Sequence, residues 1–232
     1  MAAASSGSST TEAQHRGPNL LAVAIVFTTL FVASLVISTA IAGGEHFPSP
    51  FQSVALSYAY FSQHPDAVRV GAFLQFGSAI PLGIFTATAV SRLRFLGVNV
   101  AGSFIALFGG IAASLFMASS ALIQWVLSHL GGGAPDPTVH ALHLLAFATG
   151  GVGYVVPVGL LVAGISVTGG LSKLLSRWVM WFGLLLAALA ELSALSLVVT
   201  LAMYLLPVAR FSAFVWMICV GALLPKTRGR TI

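Results

Sequence analysis

The chain has 232 residues, of which 58% are hydrophobic and only 6% charged, with a mean hydropathy of +1.00. Water-soluble domains carry about 25% charged residues, so this composition excludes a soluble fold and leaves a polytopic membrane protein of a single domain. The net charge of +5 and pI near 10 do not indicate nucleic acid, because the basic residues are few and dispersed. A lone cysteine, Cys219, excludes an intrachain disulfide and a thiolate metal cluster and reads as a buried, inert thiol.

Residues 1–18 are rich in Ser, Thr and Ala without an apolar period, and are expected to form a disordered tail. The first span covers about 19–42. It ends in Ala40-Ile41-Ala42, which resembles a signal-peptidase site, but its apolar part is longer than the ~7–15 residues of a signal-peptide core, so it is read as uncleaved. In the long loop 43–66, Ser49-Pro50 reads as a helix cap with proline at the first helical position. Phe51, Val54, Tyr58 and Phe61 then recur at helical spacing, as in a short interfacial helix or a flap over the mouth of the bundle.

The second span runs from about 67 to 91, with Asp66 placed to cap it. The third, about 98–129, carries Gly102, Ala106, Gly110, Ser114 and Ala118 at every fourth position. Such ladders of small residues let membrane helices approach closely, so this helix is expected at the packing centre. Asp136-Pro137 caps a fourth span of about 138–167; the fifth covers about 178–205 and the sixth about 208–224, with Pro207 between them. The basic tail 226–232 completes the chain around a transmembrane domain of 19–225.

Arg16, Arg92, Arg94, Lys173, Arg177, Lys226, Arg228 and Arg230 fall on one side of this all-α bundle of six spans, and only Arg69 and Arg210 on the other. The positive-inside rule then places both termini in the cytoplasm. Spans two and four share the pattern Gly-x-x-x-Pro-x-Gly, at 77–83 and 153–159, which suggests a duplicated hairpin about an axis along the membrane normal. Pro81 and Pro157 would bend both helices and open a shallow cavity between them.

Chemistry rests on two groups of residues. Glu191, near the middle of the fifth apolar run, reads as the only charge within the membrane. A carboxylate at that depth marks a partner, a ligand or a proton path, and Gln75, Ser78 and Tyr154 are the polar groups at compatible depth. The alternative is a neutral hydrogen bond joining helices. His129, His140 and His143 share the outer mouth above Gly150-Gly151-x-Gly153, a run that leaves room for something flat, so haem, copper or zinc is the second candidate. No nucleophile elbow, phosphate loop, paired carboxylate or zinc-protease motif is present, and catalysis is not the expectation.

Three segments, FATGGVGYVVPVGLLVAGIS, SRWVMWFGLLLAALAELSALS and LLPVARFSAFVWMICVGALLP, resemble an uncharacterised family of small bacterial membrane proteins, a domain of unknown function. The resemblance covers about the last 90 residues and implies a six-helix inner-membrane protein, with no activity or site residues attached. Three functions follow as expectations. The first is binding of a small or lipidic ligand, or service as an accessory subunit, with Glu191 as anchor. The second is a haem- or metal-bearing redox subunit, and the third a proton-coupled transporter. The bilayer, other membrane proteins or further copies of the chain are the expected partners, and nucleic acid is not.

Overall fold

A computed structural model describes residues 13–130 and 137–228; Asp136, expected to cap the fourth span, lies outside them. The helices are α1 (Leu20–Ile41), α2 (Val54–Gln63), α3 (Pro65–Phe95), α4 (Ala101–Leu127), α5 (Pro137–Gly150), α6 (Val152–Leu171), α7 (Arg177–Leu192) and α8 (Leu205–Leu223). Two short 3-10 segments, Ser193–Leu197 and Thr200–Tyr204, join α7 to α8. Six stretches are long and apolar enough to cross a membrane, with α5 and α6 together forming one. This is the architecture of a multi-pass membrane protein.

Local chemistry sets the helix ends. Asn19 caps α1 by accepting from the Leu21 and Ala22 amides. In the first loop the helix starts at Val54, later than expected, because Ser53 Oγ accepts from the Leu56 amide (3.1 Å) whereas Ser49 serves only the Phe51 amide. Its buried face is Ser57, Tyr60 and Phe61, while Phe51 and Val54 are exposed. Asp66 does not cap α3; it sits in the first turn behind Pro65 and pairs with Arg69 at 2.8 Å. The fifth span does not run as one helix to residue 205. Ser193 Oγ donates to the Ala190 carbonyl (2.6 Å), and the β-branched run Val198-Val199-Thr200 disfavours further helix. Cys219, expected to be buried, is only partly so.

Helix α4 packs most extensively against α6 on one side and α3 on the other. Gly102 and Ala106 lie against Gly164 of α6, and Gly102 also against Thr168, while Gly110 lies against Thr86 of α3. Ser114 Oγ donates to the Ala79 carbonyl across the α3 interface (2.7 Å), and Ala118 packs on the core. A close approach of backbones is also made at Gly109, outside the ladder: a Cβ there would lie 2.5 Å from the Pro157 carbonyl oxygen. Helix α4 lies between the helices that carry Pro81 and Pro157.

The sequence echo continues as geometry. Helices α3 and α6 end 76 residues apart (171 minus 95), and α4 and α7 begin 76 apart (177 minus 101). The turns repeat bond for bond. Leu96, Gly97 and Val98 amides donate to Arg92, Arg94 and Leu93; Ser172, Lys173 and Leu174 donate to Thr168, Gly170 and Gly169. The middle residue is left-handed in both, Gly97 at φ 94 and Lys173 at φ 56. Spans two–three and four–five are thus hairpins with the same turn at a spacing of 76 residues.

The described residues nearest the two termini gather at one end of the bundle. The His15 amide donates to the Lys226 carbonyl (2.9 Å), and Gln14 and Thr227 form a bridge. The His15 ring meets Ser91 Oγ at 3.1 Å and the edge of Phe95, so residues 13–18 of the expected disordered tail are docked. Arg92, buried beneath, donates to the Leu224 carbonyl (3.4 Å). Burial, and then the Arg92 charge, lower the His15 pKa from 6.5.

Two outcomes are expected. Gly109→Ala should destabilise the protein by about 1–3 kcal/mol through overpacking against backbone. Gly77→Ala should be neutral, since nothing lies within 4 Å of a Cβ there; thermal unfolding in detergent compares the two. Second, an NMR titration of the His15 ring should give a midpoint below 6.5. Docking favours the neutral ring, so its contribution is full above that value and falls as pH drops below it. A midpoint at or above 6.5 would mean that the segment is not docked in solution.

Candidate functional site

The site begins with a break in the fourth span. Gly151 adopts φ −84 and ψ −100, away from helix, and a Cβ on it would lie 2.6 Å from the Phe147 carbonyl oxygen. Glycine is required there by space. The break ends α5 at Gly150, and helix-terminal carbonyls need partners from outside the helix. Arg210 of α8 supplies one, donating from Nη2 to the Gly150 carbonyl.

Arg210 is otherwise unsaturated. A guanidinium carries five N–H donors, and this is its one hydrogen bond among the described residues; Nε is buried without a partner. The Phe31 ring lies 5.5 Å from Cζ and the Tyr154 ring 5.2 Å, both at cation–π distance. Tyr154 is fully buried and its hydroxyl also has no partner. The ion pairs among the described residues are His64–Glu45 and Arg69–Asp66, so no carboxylate neutralises Arg210.

Beside it runs an amide network. Gln124 Nε2 donates to Gln75 Oε1 (3.0 Å) and Ser120 Oγ (3.3 Å), and Ser120 Oγ donates to the Ala146 carbonyl (2.8 Å). These groups border a cavity of about 670 Å³ at the end of the bundle opposite the termini, walled by α1, α3, α4, α5 and α8. The loop His46–Pro50 covers it, held by Phe47 against Tyr60, Phe61 and His143 at ring separations of 5.3–5.4 Å. At the repeat spacing, Ala67 corresponds to His143, Gly71 to Phe147 and Gln75 to Gly151, and all six line the cavity. It therefore lies between those ends of the two helices that are far from the chain termini, beyond their prolines.

The residues expected around Glu191 assemble without it. Gln75 lines the cavity and Tyr154 lies beneath Arg210; Ser78 Oγ donates to the Gln75 carbonyl (2.7 Å) and reaches Met117 Sδ (3.2 Å). Glu191 sits on the exposed side of α7, one residue from the helix end and beside Gly159, with no hydrogen bond to any of the three. The buried stripe of α7 is Val179, Gly183, Leu186, Ala187 and Ala190, which turns residue 191 outward. Nor is Glu191 the only charge within the spans: Arg92 and Arg210 lie in α3 and α8.

The histidines do not form a metal cluster. Among the described residues no three His, Cys, Asp or Glu side chains are placed to hold an ion. His143 is buried with Nδ1 at 3.0 Å from Ser57 Oγ, whereas His129 is exposed and turns Nδ1 to the Trp125 carbonyl (2.8 Å). His140 is partly exposed. The glycine run is partly open: Gly150 and Gly151 line the cavity, although a Cβ on them would meet Ser120 and the Phe147 carbonyl, whereas Gly153 lies against Phe116.

Arg210 escapes sequence reading because Pro207 looks like a span boundary. Proline is tolerated in a first helical turn, where its missing amide has no partner to lose, and α8 begins two residues before it. The usable signal is the apolar run through residues 200–223, interrupted by Arg210 alone among charged residues.

Fold and site together define a multi-pass helical membrane protein with a polar cavity at one end of its bundle. No protein-family model, no curated protein and no solved structure matches the chain.

The Gln75–Gln124 pair should show coupling in a double-mutant cycle of Gln75→Leu and Gln124→Leu. Side-chain hydrogen bonds between membrane helices contribute about 0.6–1.7 kcal/mol, and unfolding should reveal a coupling of that size. Strict additivity would mean that the amides are not paired.

Proposed function

We propose that this protein is a bacterial inner-membrane protein, with both termini cytoplasmic, that holds a small amphiphilic ligand in the cavity at the outer end of its bundle. It acts as a binding protein or as the ligand-holding subunit of a larger assembly, and not as an enzyme. The observation that carries this reading is the cavity itself. Its volume of about 670 Å³ falls within the usual range for ligand sites. Its polar groups, Arg210, Gln75, Gln124 and Ser120, stand against apolar walls that include Phe31, Leu35, Phe147 and Leu206. An amphiphile matches both kinds of surface.

The orientation draws on the basic residues at the end that bears the termini: Arg16, Arg92, Arg94, Lys173, Arg177, Lys226 and Arg228. The redox reading and the transporter reading draw on no comparable gathering of groups, since no three possible metal ligands come together among the described residues and Glu191 does not line the cavity.

The test is native mass spectrometry of the full chain released from nanodiscs made with bacterial lipid extract. The wild type should retain a defined lipid or metabolite adduct. Thr39→Trp, which fills the cavity from α1, should lose it without losing its fold. A wild-type protein with no retained adduct, or an adduct indifferent to Thr39→Trp, would remove the cavity as the ligand site.

A further inference from the structure

We infer that the polar end of the ligand is an anion, a phosphate or carboxylate group, and that Arg210 is the residue that pairs with it. This rests on the cavity being the ligand site, as proposed above, and adds the chemistry of what enters it.

The argument is one of unspent donors. Arg210 lines the cavity, with one protein acceptor for its five N–H bonds. An unpaired charge within a membrane span is costly, and such groups are normally paired or face a path or a ligand. Here no carboxylate of the described chain is within ion-pair reach. The two aromatic rings offset part of the charge but accept none of its in-plane hydrogen bonds.

The neighbouring amide points the same way. Gln75 Oε1 is occupied by Gln124, which leaves the Gln75 NH₂ as a donor with no acceptor among the described residues. That nitrogen would lie 3.9 Å from a Cβ on Gly150, the residue whose carbonyl Arg210 holds. A guanidinium and an amide NH₂ therefore border one glycine, and the nearby acceptors, Gln75 Oε1 and the Gly150 and Ala146 carbonyls, are already engaged. Gln124 Oε1 is the acceptor left free beside them, but the only charge at the site is the arginine's, and its planar fork suits the paired oxygens of a carboxylate or phosphate.

The experiment uses the full chain in phosphatidylcholine nanodiscs at pH 8, titrated with dodecyl phosphate, dodecanoate and dodecanol, with inorganic phosphate as competitor. Both anions should bind at least about tenfold tighter than the alcohol. Arg210→Gln should erase that preference while dodecanol binding persists. Gln75→Glu, which adds a competing carboxylate inside the cavity, should do the same and serves if Arg210→Gln does not fold. Competition by millimolar inorganic phosphate would identify a free anion as sufficient; its failure to compete would identify the headgroup of a chain-bearing amphiphile. Equal affinity for the alcohol and both anions, or a preference unchanged in these variants, would overturn the pairing and leave the cavity as a neutral amphiphile site. Binding of none of the three would instead remove the cavity reading itself.

Discussion

The near contact of backbones along α4 is the constraint on which the bundle depends. At Gly109 and at the Gly102–Gly164 crossing there is no space for a Cβ, so α4 can lie between α3 and α6 only because these positions are bare. Lipid tails are as apolar as leucine, so association here depends on van der Waals contact and hydrogen bonds instead of hydrophobic driving force. Ser114 adds one such bond across the seam, to the Ala79 carbonyl. Seated there, α4 stands between the two proline-bearing helices, and its far end, with Ser120 and Gln124, forms one wall of the cavity.

Much of this architecture is written in residue types. Six apolar runs set the spans because a hydrocarbon core of ~30 Å demands about 20 helical residues. The small-residue ladder on α4 marks the seam because close approach leaves few residue choices. The Gly-x-x-x-Pro-x-Gly echo marks the 76-residue spacing, although the matched turns at 92–98 and 168–174 lie in dihedrals and hydrogen bonds that dissimilar residues can form. Gly97 and Lys173 share a left-handed conformation, and only the glycine announces it.

The site was less legible, for physical reasons specific to each residue. Glycine pairs are common in membrane helices, so Gly150-Gly151 does not by itself signal a break; the break depends on the Phe147 carbonyl and the space taken by Ser120. Glu191 stands out by its charge, yet its neighbours follow from where α7 turns its buried stripe and from its 3-10 continuation. The histidines share a topological end, but His143 turns to Ser57 and His129 to Trp125, since common depth does not imply common direction. Arg210 was hidden by its neighbour Pro207.

The 76-residue spacing also relates two facing walls of the cavity and shows where their chemistry differs. Ala67, Gly71 and Gln75 on α3 and their counterparts His143, Phe147 and Gly151 on α5 and at its break build opposing walls at equal spacing. Two equivalent walls would give an indifferent site. The equivalence fails where it matters: Gln75 retains an amide, and its counterpart is the glycine at which the helix breaks. The flanking helices lie outside the repeat. Helix α1 contributes Phe31, Ser34 and Ser38, and α8 contributes Arg210, which reaches the very carbonyl at which α5 ends. Helices α3 and α4 thus supply Gln75, Ser120 and Gln124, and α8, outside the repeat spacing, adds the charge of Arg210. Changes in α1 and α8 can alter what the cavity holds without disturbing the α4 seam.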